Sequence, residues 1–151
     1  MKTITIKKIS LKDINAEKVP ALMDEKKIQF HAIDQINWES YPYCPKALFR
    51  IAYTQEAILI NYRIEEKSRA KYEKDNDAVW TDSCAEFFVI PANDGIYYNI
   101  ESNCIGTVLV GVGKERHNRE RAPQDVLDKI QRWASLGNKS FDERIEDSTW
   151  E

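Results

Sequence analysis

Glycine, proline and cysteine are scarce in this chain. Five Gly and five Pro among 151 residues are too few for a collagen-like, linker-like or low-complexity protein. The three cysteines, Cys44, Cys84 and Cys104, are an odd set without a Cys-x-x-Cys pair, which argues against a disulfide framework and against a zinc cluster. We therefore expect reduced thiols.

Long apolar runs are missing as well. The most apolar stretches, residues 57–60 and 107–112, are far shorter than the roughly 20 residues that span a bilayer. The N-terminus mixes its apolar side chains with Thr and Lys, whereas a secretory signal needs an unbroken apolar region of about 7–15 residues. The sequence predicts no membrane partner and, as written, a cytoplasmic location; a module excised from a larger secreted protein would be extracellular or periplasmic.

An excess of positive charge is also absent. Lys and Arg number 22 against 25 Asp and Glu, for a net charge of -3, and no basic block is dense enough to form a nucleic-acid surface. Nucleic acid is therefore not expected as a partner. The hydrophobic share of 42% and the aromatic share of 11% are instead typical of a chain that folds, and the length predicts one domain over residues 1–151.

Alternation of apolar and polar residues with a period of two is the dominant pattern. It is clearest where Ile58, Ile60, Tyr62 and Ile64 recur at every second position, which indicates a strand with one apolar face. Asn93-Asp94-Gly95 between two such runs is typical of a hairpin turn. In all, the pattern predicts seven strands, over residues 3–9, 28–33, 48–53, 58–65, 84–90, 96–100 and 107–112.

One segment has helical spacing instead. After Pro123, the residues Val126, Ile130 and Trp133 recur at helical intervals, and Gly137 follows, which predicts one helix of about three turns near the C-terminal third. Many strands with a lone helix favour an all-β fold of the sandwich or barrel type.

The C-terminus reads as an interrupted strand. Ser148-Thr149-Trp150-Glu151 resembles a strand opening with nothing after it, so we expect a domain that lacks its final strands or that receives a strand from a partner. A homodimer through an exposed strand edge is the corresponding prediction.

A tryptophan beside polar groups is the main candidate for a binding site. Trp80 follows a polar loop, and a pyranose ring needs one flat aromatic surface with fixed donors and acceptors around it. Glu86, Asn99 and Glu101 are the candidate polar contacts, since period two gathers side chains on neighbouring strands. Alternatively, Trp80 closes one end of the core and Glu86 accepts hydrogen bonds from loop amides.

The same stretch resembles a known family. The runs that carry the resemblance to carbohydrate-binding module family 9 are Asn76-Asp77-Ala78-Val79-Trp80-Thr81-Asp82-Ser83-Cys84-Ala85-Glu86-Phe87-Phe88, Tyr97-Tyr98-Asn99-Ile100-Glu101 and Ile105-Gly106-Thr107, with Ile36-Asn37-Trp38, Tyr41-Pro42-Tyr43, Arg132-Trp133 and Trp150. These blocks cover most of the chain.

The resemblance implies a β-sandwich of jelly-roll type that binds sugar ends of polysaccharide fragments without cleaving them. It implies that a sugar lies between two tryptophans, of which Trp80 matches the first, and that Glu86 binds sugar hydroxyls. Asn99 falls about where the family carries an arginine ligand, and the second tryptophan is expected beyond Glu151. We therefore expect non-catalytic binding of the ends of xylan- or cellulose-type oligosaccharides, in support of polysaccharide degradation.

No cofactor is expected from the residues alone, although some members of the family that the chain resembles hold a structural calcium ion. Asp75, Asp77 and Asp94 are the candidate ligands, but no run has the ligand density of a dedicated calcium loop, and Asx turns explain these residues as well.

Two other functions stay open. The first is a glycoside hydrolase. If Asp82 and Glu86 lay on one strand, their α-carbons would be ~13 Å apart, which is too far for a catalytic pair of carboxyl groups. Glu86 and Glu101 on neighbouring strands could approach more closely. In the second alternative, the chain is a protein-interaction module completed by a partner strand.

Overall fold

The computed structural model describes residues 3–11 and 13–151 of the chain. Strands dominate, and two α-helices and two 3₁₀ turns are short. The strands are β1 (Lys7–Lys8), β2 (His31–Ile33), β3 (Lys46–Tyr53), β4 (Ile58–Glu66), β5 (Cys84–Val89), β6 (Tyr97–Asn103), β7 (Val108–Gly113), β8 (Glu120–Arg121) and β9 (Ser148–Trp150); the helices are α1 (Val19–Glu25) and α2 (Gln124–Leu127); the 3₁₀ turns cover Ala16–Lys18 and Val79–Thr81.

The strands form two sheets, and the chain divides into two compact units. The first unit extends to Glu66 and includes Thr149–Glu151, and the second is Lys67–Ser148. The first sheet has the order β1-β3-β4-β9, with β2 also paired to β3, and the second has the order β5-β6-β7-β8. The predicted fold class, an all-β protein of the β-sandwich class, is confirmed.

The first unit buries α1 against its sheet. Val19 and Met23 lie one helical turn apart and pack with Ala52 and Leu59 in an apolar cluster, as i and i+4 positions do on one helix face. Arg50 of β3 is 2% exposed, and its guanidinium donates hydrogen bonds to the carboxylate of Asp24 and to the Pro20 carbonyl. A buried guanidinium requires hydrogen-bond acceptors. Because α1 supplies them, these bonds join the helix to β3.

The second unit is an antiparallel sheet in which β5 and β6 form a hairpin. The expected turn is present: Gly95 has a φ of 74°, and the Asp94 carboxylate accepts a hydrogen bond from the Ile96 amide at 2.9 Å. One face of the sheet packs against α2 in a cluster that includes Val108, Val110 and Leu127. The opposite face carries the polar residues described below.

The helical predictions need correction. Helix α2 begins after Pro123 but ends at Leu127, so it is much shorter than the three turns expected. The amides of Lys129 and Ile130 bond to carbonyls three residues back, which is the tighter 3₁₀ pattern. Helix α1 was not predicted from sequence. Only Val19 and Met23 among its seven residues are buried, and two apolar positions are too few to show a helical period in the sequence.

The predicted strand at the C-terminus is present as β9, at one edge of the first sheet next to β4. Trp150 is 3% exposed, and its indole N–H donates to a Glu66 carboxylate oxygen at 2.9 Å. Homodimerisation through this edge stays a prediction. Among the described residues, no helix has the length and apolar character that crossing a membrane requires.

Candidate functional site

Trp80 is presented to solvent by a short turn. It occupies the middle of the 3₁₀ turn Val79–Thr81, in which the Val79 side chain is fully buried and the Thr81 hydroxyl donates to the Ala78 carbonyl at 2.9 Å. With its neighbour fixed in the core, the Trp80 indole stays 52% exposed. The alternative in which Trp80 closes the core does not match this exposure.

Asp82 and Ser83, which follow Trp80, stabilise the local structure. The Asp82 carboxylate accepts hydrogen bonds from the amides of Lys71 and Tyr72 at 3.0 and 3.1 Å and from the Asn103 side chain at 2.9 Å. The Ser83 hydroxyl accepts a bond from the Arg69 amide. Asp82 and Ser83 therefore fasten the segment before Trp80 to the start of β5, and Asp82 is committed to backbone amides.

The strand register places the predicted polar residues on one face of the second sheet. Glu86 of β5 lies directly opposite Glu101 of β6, and Asn99, two residues before Glu101, shares its face. Residues directly opposite one another in an antiparallel ladder have their side chains on the same side. We call this side the site face and define it by Glu86, Phe88, Asn99, Glu101, Gly111 and Arg121.

These residues differ in depth. Glu86 is exposed, whereas Glu101 and Asn99 are 5% and 1% exposed. The Asn99 amide donates to a Glu101 carboxylate oxygen at 2.7 Å. In this structure Asn99 and Glu101 are thus a buried polar pair on the sheet face that also carries Glu86, and their role as sugar contacts stays a prediction.

The environment of Glu101 favours its neutral form. Burial is the largest cause that raises the pKa of this carboxyl, and the charge of Glu86 raises it further. The charges of Arg119 and Arg121 and the hydrogen bond from Asn99 act in the opposite direction. The net shift of the Glu101 pKa is upward because desolvation penalises the carboxylate.

Two arginines of the site face were not singled out from the sequence. The Arg121 guanidinium lies 5.6 Å from the centroid of the Trp80 ring, within the range of a cation–π contact. Arg119 lies two residues earlier, and an ideal Cβ on Gly111 would come within 3.3 Å of its Cδ atom. Gly111 therefore leaves room for the Arg119 side chain to cross β7 on the site face.

A sequence signal for these arginines existed. Arg119 and Arg121 stand at alternate positions beside a predicted strand, which is the spacing of one strand face. The pairing of β8 with β7, through Gly111 opposite Arg121, is what brings them to Asn99 and Glu101.

Aromatic rings lie further along the same face. Phe88 is 58% exposed, and its ring centroid is 6.1 Å from that of Tyr97 at a tilt of 39°. The Arg119 guanidinium lies 5.9 Å from the Tyr97 ring centroid. The site face thus combines exposed aromatic surface with both acidic and basic groups.

Three buried polar atoms in this region have no hydrogen-bond partner among the residues that the structure describes: Asn99 Oδ1, Glu101 Oε2 and Arg119 Nη1. Native proteins seldom leave buried polar atoms unpaired, and exceptions point to an ordered water or a ligand. Two acceptors and one donor are the complement that a hydroxyl group, which both donates and accepts, can satisfy.

Two of the three aspartates proposed as calcium ligands accept hydrogen bonds from other groups of the protein. The Asp75 carboxylate accepts from the Val108 amide at 3.1 Å and from Arg132 at 2.6 Å, and that of Asp94 accepts within the hairpin turn. Within residues 3–11 and 13–151, no three His, Cys, Asp or Glu side chains are grouped to hold a metal ion. Asp75, Asp77 and Asp94 therefore do not fit a shared calcium site, and the absence of a cofactor stays a prediction.

Cys44, Cys84 and Cys104 are all free in the structure. Cys84 is the one nearest the site, and burial, aided by the charges of Glu86 and Glu101, raises the pKa of its thiol far above the ordinary value. A thiol in that environment is a poor nucleophile, since the thiolate is the reactive form.

Comparison with known proteins gives two matches. The sequence profile of carbohydrate-binding family 9 matches residues 17–151. A crystal structure of a candidate carbohydrate-binding protein from Bacteroides uniformis superposes with a TM-score of 0.92 at 41% sequence identity, over 97% of this chain and 68% of that one. None of the curated proteins matches the chain.

Proposed function

Because the chain belongs to carbohydrate-binding family 9, we propose that it binds the ends of xylan- or cellulose-type oligosaccharides at the site face, with Trp80 as the stacking platform. We propose further that it binds without cleaving and serves polysaccharide degradation through a partner or parent enzyme. The similar protein from Bacteroides uniformis, described as a candidate carbohydrate-binding protein, supports the carbohydrate as ligand class.

The observation that carries the proposal is the exposed indole of Trp80 next to charged hydrogen-bonding groups. Its ring is 52% exposed, the Arg121 guanidinium lies 5.6 Å from its centroid, and Glu86 is exposed on β5, the strand that follows the turn in the chain. An aromatic face can receive the C–H patch of a pyranose, while a guanidinium and a carboxylate bind hydroxyls from the side. Polar groups of both signs suit a neutral sugar better than a charged one.

Glycoside hydrolysis by Glu86 and Glu101 is the second candidate. These residues face each other across the ladder, and opposite Cβ atoms in a sheet are about 4.5–5.5 Å apart, which is compatible with a retaining pair of carboxylates. The raised pKa of Glu101 also resembles that of a general acid. Against this, Glu101 is 5% exposed, so its carboxyl is poorly placed to reach a glycosidic oxygen.

One assay separates the two candidates. Reducing-end-labelled xylo- and cello-oligosaccharides are incubated with the protein, and both mobility and chain length are measured. We expect a saturable mobility shift with no change in length. Trp80→Ala should lose the shift, because it removes the stacking surface, whereas the matched variant Trp133→Ala, at a 40% exposed tryptophan of the same unit, should retain it.

Two results would contradict the proposal. Equal binding by Trp80→Ala and the unaltered chain would show that this indole is not the platform. Shortened oligosaccharides whose formation stops in Glu86→Gln would replace the binding module with a hydrolase.

A further inference from the structure

A second cluster of exposed aromatic side chains lies in the first unit, on the loop between β2 and β3. Residues 34–45 of this loop present Trp38, Tyr41 and Tyr43, which are 61%, 76% and 69% exposed. Exposed apolar patches of this kind mark interaction sites more often than single exposed residues do. We call these three residues the aromatic loop.

The aromatic loop has a defined shape. The Tyr41 amide donates to the Trp38 carbonyl at 3.0 Å, which closes a four-residue β-turn with these residues at its two ends. The α-carbons at the ends of such a turn lie within about 7 Å of each other. Trp38 and Tyr41 can therefore contact one pyranose ring, or two successive rings, of the same ligand.

The third ring is anchored from the sheet. The Tyr43 hydroxyl donates to a Glu66 carboxylate oxygen at 2.9 Å, and the other oxygen of Glu66 accepts from the buried indole of Trp150. Although exposed, the Tyr43 ring is thus held by a side chain that is itself fixed. A ring that is already oriented loses less conformational entropy when a ligand binds.

The charges of the loop select among ligand classes. Residues 34–45 include the acids Asp34 and Glu39 and have no Lys or Arg, so anionic membranes, nucleic acids and acidic glycans meet no attraction. Amide, hydroxyl and carboxylate groups alternate with the rings, as at Asn37, Glu39 and Ser40. Rings interleaved with neutral and acidic hydrogen-bonding groups complement the apolar faces and hydroxyl rims of a neutral sugar.

We propose that the aromatic loop is a second binding site, which contacts neutral pyranose units of a glycan chain through Trp38 and Tyr41. This site is built from the first unit alone and does not require the site face.

The test uses the side-chain N–H signals of the four tryptophans in nitrogen-15 NMR spectra, assigned by single substitution. Xylohexaose and cellohexaose are titrated into the full chain and into Trp80→Ala. We expect at least one of the two sugars to shift the Trp38 signal in both the full chain and Trp80→Ala. Tyr41→Ala should weaken the affinity reported by Trp38 roughly three- to tenfold, the range for loss of one aromatic contact, whereas Trp133→Ala should not change it.

The outcomes separate this inference from the proposed function. A shift at Trp80 with none at Trp38 would overturn the second site and leave the first, and a shift at Trp38 alone would do the reverse. Silence of both signals with both sugars would overturn both. A Trp38 signal that moves with protein concentration in the absence of sugar, and becomes insensitive to concentration in Tyr41→Ala, would replace the glycan with a second copy of the chain.

Discussion

Substitution of Asp82 tests whether the segment from Trp80 to Ser83 stabilises the fold or takes part in chemistry. Its carboxylate accepts three hydrogen bonds, from the amides of Lys71 and Tyr72 and from the side chain of Asn103. Asn103 is 1% exposed, and its side-chain amide also donates to the Tyr72 carbonyl at 2.9 Å. In Asp82→Ala that amide keeps the Tyr72 bond, and the N–H that bonded Asp82 loses its acceptor without full access to water. The segment ahead of Trp80 would lose the Asp82 part of its attachment to the start of β5 and keep the bonds between Ser83 and Arg69.

The size of the effect follows from these bonds. Hydrogen bonds to a charged group contribute about 1.5–3 kcal/mol each, and water replaces part of the loss at the two amides of Lys71 and Tyr72. We expect Asp82→Ala to lower the free energy of unfolding by about 3 kcal/mol, which for a chain of this size lowers Tm by about 6–12 °C. Asp82→Asn should recover less than half of the loss, since its NH₂ group would face donors.

Urea and thermal unfolding followed by circular dichroism measure this loss. Asp142→Ala, at an exposed aspartate of the same unit, is the matched control and should stay within ±0.5 kcal/mol of the unaltered chain. If Asp82→Ala were as stable as the control, the fastening role would be wrong.

Two further predictions concern the site face. Burial raises the pKa of Glu101 above its ordinary value of 4.5. The stability that the protonated carboxyl contributes is therefore fully present below that ordinary pKa and is lost as pH rises through the native pKa. Glu101→Gln should match the unaltered chain at acidic pH and gain stability over it as pH rises, and an equal gain in thermal melts at all pH values would contradict this. Gly111→Val should displace Arg119, because even a Cβ at position 111 lies 3.3 Å from Arg119 Cδ. Gly111→Val and Arg119→Met should each weaken oligosaccharide binding, and the double variant should lose no more affinity than either single variant. Additive losses in a double-mutant cycle would show that the two positions act independently.

The differences between sequence expectation and structure follow the range of the interactions involved. Asn93-Asp94-Gly95 predicted its hairpin because the turn is set by local backbone preferences. The extent of α2 was overestimated because helical spacing through Ile130 and Trp133 does not report which of these residues the sheet can bury. The same limit applied to α1, whose stability comes from packing and from the Arg50 contacts with Asp24 and Pro20 rather than from a long pattern.

The sequence by itself determined the all-β class, most of the strands, the central hairpin and the candidate platform at Trp80, because alternation and turn chemistry act over neighbouring residues. Only the tertiary structure decided that Asn99 and Glu101 are buried, that Asp82 binds amides of the segment before Trp80, and that Arg119 and Arg121 join the site face. The physical reason is that a period of two shows which side chains share a face of one strand, whereas strand order, register and depth depend on pairings between distant residues.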